Sequence, residues 1–310
     1  YLQNEWKNET WGFLIGGRAD KHNLNDHVIF SPRVNFRYNP THNINLRAVY
    51  SSGFRAPQAF DEDLHIAIVG GERTRIRLAE DLKEERSHTF SLSADMYHTF
   101  NNGVQGNLMV EGFYTILNDV FKLVETGETT DGDNATILER RNGSGATVMG
   151  INLEARLAFN PWLQLQAGGT LQRSRYKEPE QWSEDESVPA ETRIFRSPDS
   201  YAYIAATVTP VRRFDIALSG TYTGPMLVQH FAGYIEKDIA VKTQAFFDLG
   251  LKLSYDFKIY RTIGLQINGG VKNILNSYQR DFDQGVNRDA GYVYGPSLPR
   301  TIFVGAKLSF

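Results

Sequence analysis

The sequence has no cysteine among its 310 residues, which excludes a disulfide framework and a thiolate metal site. It has no run of the roughly 18 apolar residues that a transmembrane helix needs, which excludes a helical membrane protein. The formal net charge is only −3, so no nucleic-acid partner is indicated. Residues 1–10 carry neither a basic nor an apolar segment. We therefore expect that a signal peptide was removed or that the chain begins inside a longer one.

Glycine and aromatic residues are abundant, with Gly 27, Tyr 15 and Phe 19, which is typical of β-rich chains. Apolar and polar residues alternate strictly over long segments. In 247–257 the odd positions are all apolar except Tyr255, itself aromatic, and the even positions are polar or glycine. A period of two predicts strands with one apolar and one polar face.

About twelve such strands are predicted, and the connections between them alternate between short turns and long polar loops. A transmembrane β-barrel has this layout, with its long loops outside the cell. The strands are predicted near 9–20, 30–39, 42–53, 85–99, 104–119, 146–160, 163–177, 198–210, 212–224, 241–256, 261–272 and 299–310, and the long loops at 53–84, 120–145, 178–197, 225–240 and 273–298.

A soluble antiparallel sandwich or barrel would also alternate apolar and polar residues. Strand length favours a membrane barrel over a soluble fold, because the segments reach the roughly 10 residues that cross a bilayer at a tilt. Aromatic residues near the strand ends favour it too, since interfacial girdles belong there. They are Tyr50, Phe159, Trp162, Tyr222, Tyr255 and Phe257.

Several ordered motifs resemble those of TonB-dependent receptors. Residues 271–276 read VKNILN and 300–305 read RTIFVG, which resembles the last hairpin of that family. Earlier, SPR at 31–33, NP at 39–40 and LR at 46–47 precede the family motif formed by Gly53, Phe54, Arg55, Ala56 and Pro57. Residues 79–85, AEDLKEE, lie where the family has an NPxLKPE box, but they depart from its first two positions and its proline.

The resemblance implies an all-β fold, a transmembrane antiparallel β-barrel that is plugged and 22-stranded. The whole chain, 1–310, would be the C-terminal part of one such barrel. The plug, the segment that contacts TonB and about ten strands would lie outside it. It implies TonB-energised uptake of a scarce nutrient across the bacterial outer membrane: a ferric siderophore, haem or a cobalamin-like molecule. The implied partners are outer-membrane lipid, the energy-coupling protein TonB, the plug and the small nutrient; no cofactor is implied.

Two features of the motifs suggest roles for single residues. A chain that stops on Phe310 after alternating apolar residues resembles the insertion signal of outer-membrane barrels, and the last strand would close the sheet. Phe54 to Pro57 would shape the mouth of the substrate cavity, or have a structural role in which Pro57 stops pairing and Arg55 forms salt bridges. The structural role is the stronger expectation.

Candidate ligand-contacting residues lie in the long loops. Arg73, Arg75 and Arg77 would form one basic face for an anionic ligand if extended, or pair with neighbouring carboxylates such as Glu80. His65 lies where haem receptors of the family have a histidine, although a lone loop histidine is more often solvated. Trp182 lies in an acidic loop that would bind divalent cations or remain solvated.

No catalytic or metal-binding motif is recognised, and the seven histidines are scattered. The sequence therefore predicts no enzyme, no catalytic residue and no metal site. A passive porin-like channel remains the alternative to the receptor, and an upstream plug would exclude it. A membrane-embedded hydrolase would need a nucleophile with a histidine partner, which the sequence does not show.

Overall fold

The computed structural model describes residues 1–58, 74–101, 103–129, 136–159, 162–260 and 262–310. Within these ranges every regular element is a β-strand, and nineteen strands are present. In the same ranges, no helix is long and apolar enough to cross a membrane.

Thirteen strands follow one another through a single antiparallel sheet, and β12 (Glu191–Arg193) adds to β11 to make fourteen. Each pairs with the strand before and after it in the list, so the sheet is a meander whose two outer strands are β1 and β19. The thirteen are β1 (Leu2–Lys7), β2 (Trp11–Asp20), β3 (Ile29–Thr41), β4 (Ile44–Arg55), β6 (Glu85–Thr99), β7 (Gln105–Asn118), β10 (Ala146–Phe159), β11 (Leu163–Glu180), β13 (Ser200–Val211), β14 (Phe214–Thr223), β17 (Phe246–Tyr260), β18 (Ile263–Lys272) and β19 (Thr301–Ser309).

The remaining strands lie in the long loops. A three-stranded sheet in the order β5-β9-β8 joins two of these loops, and β15 and β16 form a hairpin in another. Their bounds are β5 (Thr74–Leu78), β8 (Phe121–Thr129), β9 (Thr136–Asn142), β15 (Leu227–His230) and β16 (Ile239–Lys242).

All twelve predicted strands of the main sheet are confirmed, most within two residues at each end. The strand predicted at 241–256 was wrong at its start, because Ile239–Lys242 pairs with Leu227–His230 in the loop and the sheet strand begins at Phe246. The alternation did not identify β1, which is polar at four of its six positions and exposed throughout. It also missed the short strands of the loops.

The register gives the main sheet one apolar and one polar face. Val34, Tyr50, Phe90, Tyr114 and Met149 occupy neighbouring positions across five strands and share the apolar face. Apolar residues of this face remain exposed: Leu92 is 68%, Leu171 69% and Val304 82% accessible. No part of the described chain covers this face, as in a barrel whose outer surface meets lipid.

The polar face carries side chains that hydrogen-bond along the register. Thr170 Oγ1 donates to Asn152 Oδ1 at 2.7 Å, and Asn152 Nδ2 donates to Glu111 Oε2 at 2.9 Å. Tyr203 OH donates to Glu154 Oε2 at 2.7 Å. Such pairing lowers the cost of holding polar groups inside a barrel.

The strands are connected differently at their two ends. At one end of the strands the connections are short turns such as 8–10, where Asn8 N donates to Trp11 O at 2.8 Å, and 212–213. At the opposite end lie the long connections that contain the loop strands. We call these two ends of the strands the short-turn side and the long-loop side. The predicted segregation of loop lengths is therefore confirmed.

Candidate functional site

The best-packed region lies on the long-loop side and not in the main sheet. Met226, Val228 and Tyr292 are buried together there, and Val241 and Tyr294 pack against them. These residues belong to the loops 224–245 and 273–300, which contact the loop 181–199 as well. We call these three segments the three-loop cluster. Its own apolar core gives these loops a fixed shape, which a binding surface needs.

His230 and Asp283 form a buried pair at the centre of the three-loop cluster. His230 Nε2 lies 2.9 Å from Asp283 Oδ2, and their side chains are 8% and 3% exposed. The imidazole stacks on the Tyr292 ring with centroids 3.7 Å apart and planes 9° apart. Asp283 also accepts from Asp289 N at 2.9 Å. The pair therefore joins the 224–245 loop to the 273–300 loop through both polar and ring contacts.

Asp281 accepts hydrogen bonds from two tyrosines of the same loop, Tyr292 OH at 3.0 Å and Tyr294 OH at 2.7 Å. Burial acts to raise the pKa of Asp281, but these hydrogen bonds outweigh it and hold the pKa below its ordinary value. Burial, followed by the hydrogen bond to Asp281, raises the pKa of Tyr292 to about 12. The pKa of Tyr294 is raised for the same reasons. At neutral pH the carboxylate is thus ionised and both phenols are neutral donors.

Gln279 joins the two halves of the 273–300 loop. It is fully buried, its Nε2 donates to Tyr292 O at 3.0 Å, and its Oε1 accepts from Tyr294 N at 2.8 Å. A buried amide with both ends satisfied fixes one backbone course. This residue could not be predicted from the sequence, because a glutamine in a polar loop is usually solvated.

Arg196 connects the 181–199 loop to the other two. Its backbone N donates to Leu227 O at 2.8 Å, and its guanidinium donates to Val293 O at 2.9 Å and to Gly291 O. Its φ of 57° is in the left-handed region, which a non-glycine residue adopts at a cost. These three hydrogen bonds offset that cost and join all three loops.

Trp182 belongs to the same cluster. Its ring centroid lies 5.3 Å from that of Phe195 and 6.0 Å from that of Phe231, and Nε1 donates to Pro189 O at 3.1 Å. The neighbouring Ser183 Oγ donates to Asp238 Oδ2 at 2.6 Å. The indole therefore lies in a contact between two loops, and its role toward a ligand stays a prediction.

The motif VKNILN at 271–276 supplies the start of the 273–300 loop. Asn273 and Asn276 have φ values of 49° and 55°, a conformation that asparagine tolerates better than most residues. Asn273 Nδ2 donates to Ser277 O and Leu298 O, each at 3.1 Å, and Asn276 Oδ1 accepts from Arg300 N at 3.0 Å. The two asparagines thus bring both ends of the loop together and align the start of β19.

A second loop contact surrounds the small sheet β5-β9-β8. Arg77 on β5 pairs with Glu139 at 2.9 Å and with Glu128 at 3.1 Å. The hydrogen bond to Glu139, then the charge of Glu128, raises the pKa of Arg77. Residues Thr74–Leu78 are extended, which is the condition for the basic face, but the Arg77 partners come from β8 and β9 and not from the neighbouring Glu80. Arg75 lies on the same face two residues away. His65 and Arg73 lie outside the described residues.

Glu84 joins this region to the rest of the sheet. Its carboxylate accepts from Asn25 Nδ2 at 2.7 Å and Arg86 Nε at 2.8 Å, and His27 Nε2 lies 3.1 Å away. Burial acts to raise its pKa, but a backbone hydrogen bond and the Arg86 contact outweigh it, so the pKa is lowered. Glu84 lies in the AEDLKEE segment. The sequence comparison therefore singled out this segment but did not predict the structural role of Glu84.

The Gly53–Pro57 motif ends β4. Arg55 makes two hydrogen bonds to Glu85, each at 2.7 Å, and its guanidinium lies 5.0 Å from the Phe121 ring centroid. The strand ends at Arg55, two residues before the buried Pro57. These contacts fit the structural role expected for the motif; a role at a substrate cavity stays a prediction. Phe310 follows β19 and is 89% exposed.

A family model described as TonB dependent receptor-like, beta-barrel matches residues 1–274. A search of curated proteins finds no match. Among solved structures, the chain is similar to a variant of the ferric enterobactin receptor PfeA of Pseudomonas aeruginosa, with 17% identity and a TM-score of 0.67 over 98% of this chain and 43% of that one.

Two further structures share the fold. The siderophore receptor PirA of Acinetobacter baumannii has 15% identity, a TM-score of 0.68 and coverage of 99% and 45%. The iron transporter FrpB of Neisseria meningitidis has 14% identity, a TM-score of 0.68 and coverage of 99% and 44%. The chain thus spans less than half the length of each structure.

Proposed function

The chain belongs to the family of TonB-dependent receptor-like β-barrels, and from that premise we propose that it is part of an outer-membrane receptor for TonB-energised uptake of a scarce nutrient. The observation that carries the proposal is the match over residues 1–274 on a sheet with one exposed apolar face, one polar face and structured loops on one side. The function is binding and transport, with no bond made or broken in the nutrient.

We propose that residues 1–310 form the C-terminal part of one barrel. The chain covers less than half of each similar structure, and the outer strands β1 and β19 do not pair with each other. An open edge in lipid leaves backbone groups without hydrogen bonds, so further strands must complete the sheet. The polar face, with Glu154, Asp248 and Lys252, would then surround the plug through which TonB acts.

The three-loop cluster is the proposed place of nutrient contact, with Arg75 and Arg77 as further candidates on the small sheet. PfeA and PirA carry siderophore names and FrpB is an iron transporter. Ferric siderophores are therefore the first class to test, with haem and a cobalamin-like molecule after them. Chelates of iron with anionic groups suit arginine and tyrosine donors.

Growth of a deletion strain tests the nutrient classes directly. The strain, its complemented parent and a strain with Arg196→Ala in the three-loop cluster are grown with ferric siderophores, haem or corrinoids as sole source. We expect growth on one class to need the intact gene, and Arg196→Ala to raise the nutrient concentration needed. If the deletion strain takes up every class as the parent does, the assignment as a nutrient receptor is wrong.

A further inference from the structure

A groove runs along the exposed apolar face of the sheet. Its floor is Gly112 on β7, where an added Cβ atom would have no heavy atom within 4 Å. Leu92 and Ile151 stand on either side of Gly112 in the register, on β6 and β10. The cavity has a volume of about 990 Å³. A missing side chain between two large exposed ones is what gives this surface its depth.

The groove continues toward the short-turn side. A second cavity of about 500 Å³ shares Phe36, Ala48, Leu92 and Gly112 with the first and reaches Tyr38. On β3 the two cavities extend from Val34 to Tyr38, four residue steps or about 13 Å along the strand. The first cavity also extends across the strands from β3 to β11, and the residues that line the groove are mostly apolar.

Basic side chains lie at the other end of the groove. Arg173 lines it, one register step of about 7 Å nearer the long-loop side than Gly112. Arg175 and Lys177 follow at alternate positions of β11 and so share its face. Arg175 Nη1 donates to Ser174 O and Lys177 Nζ to Asn118 Oδ1. Within the described ranges none of the three forms an ion pair with a carboxylate.

We propose that this groove is a lipid-binding site, which holds one acyl chain of a lipid whose anionic phosphate head group contacts Arg173, Arg175 and Lys177. The inference rests on the membrane location in the proposed function. Lipid is the occupant because the groove is continuous with the exposed apolar face. An apolar groove with Arg173 at its long-loop end, and Arg175 and Lys177 next along the same face, complements a chain with a negative head.

The head-group contact is tested by native mass spectrometry of the complete receptor in detergent, titrated with phosphatidylglycerol or with phosphatidylcholine of the same chains. The wild type should bind phosphatidylglycerol more tightly. The double variant Arg173→Glu, Arg175→Glu should lose this preference by about tenfold or more, near 1.4 kcal/mol. Arg212→Glu, in a short turn at the opposite end of the sheet, is the matched charge control and should bind like the wild type.

The acyl-chain contact is tested with Gly112→Leu, which fills the groove without a clash because the site is open. It should weaken binding of both lipids several-fold, whereas Ala206→Leu, elsewhere on the apolar face, should not. Equal binding by all variants, or equal loss in the controls, would overturn the proposal. Nutrient uptake by the same variants is measured in parallel. This measurement distinguishes failure of the lipid-site proposal from failure of the receptor proposal. Arg173→Gln replaces the double variant if that variant does not fold.

Discussion

At the residue scale, the family motif at 271–276 has a clear physical basis. Asn273 and Asn276 combine a left-handed backbone with side-chain hydrogen bonds that join the two ends of a 28-residue loop, 273–300. The sequence showed the motif but not this geometry, because the partners Leu298 and Arg300 are more than twenty positions away. Gln279 and Arg196 were missed because their side chains bind backbone atoms that lie elsewhere along the chain, in the same loop for Gln279 and in another loop for Arg196.

Replacing Asn273 by alanine should open the 273–300 loop. The change removes three hydrogen bonds of a buried side chain and places alanine at φ 49°. We expect a loss of about 2 kcal/mol in local stability, or ~30-fold faster proteolysis within the loop. The exposed Asn287→Ala is the control. Equal cleavage of both variants would contradict the assigned role of Asn273.

Asp281 should make the three-loop cluster sensitive to acid. Its pKa is lowered in the folded protein, so its contribution is present above the ordinary carboxyl value of about 4 and is lost as pH falls through the folded value. Hydrogen exchange of residues 279–295, corrected for the intrinsic pH dependence, should show protection decreasing below about pH 4. In Asp281→Asn that decrease should be absent; an unchanged profile would exclude Asp281 as the cause.

At the scale of elements, alternation predicted the strands that face two different surroundings and failed where this contrast is missing. Segments such as Glu85–Thr99 were predicted to the residue because each has a continuous apolar face. The hairpin of β15 and β16 packs Val228 and Val241 into a loop core and not onto the sheet, and the end of β16 was read as the start of β17. The apolar and polar faces of a strand could be predicted from the sequence, but the strand with which it pairs could not.

The two faces of β17 should respond oppositely to a lysine. Leu253 lies on the apolar face at mid-strand and Ser254 lies on the polar face between Asp215 and Asn268. Leu253→Lys should cost about 2–4 kcal/mol because it places a charge in the bilayer, and Ser254→Lys less than about 1 kcal/mol. Denaturant titration of the receptor in phospholipid vesicles measures both. Equal costs would contradict the assignment of the apolar face to lipid.

At the scale of the whole molecule, the sequence alone predicted the all-β barrel class and the family, and the structure and the family match confirm both. It could not predict that three loops form one packed cluster, because a loop core depends on contacts among 181–199, 224–245 and 273–300. The ligand-binding role of His65, Arg73, Arg75, Arg77 and Trp182 stays a prediction. A receptor function is therefore tested by transport and not by any single site residue.

Energy dependence of uptake separates the receptor from a passive channel. Cells that carry the complete receptor take up the radioactive iron chelate that supports growth, with and without TonB and with the proton gradient intact or collapsed. We predict saturable uptake that falls to background when TonB or the gradient is removed, because a plugged barrel opens only when energised. Uptake that rises linearly with concentration and is unaffected by either treatment would contradict the account and indicate a porin-like channel.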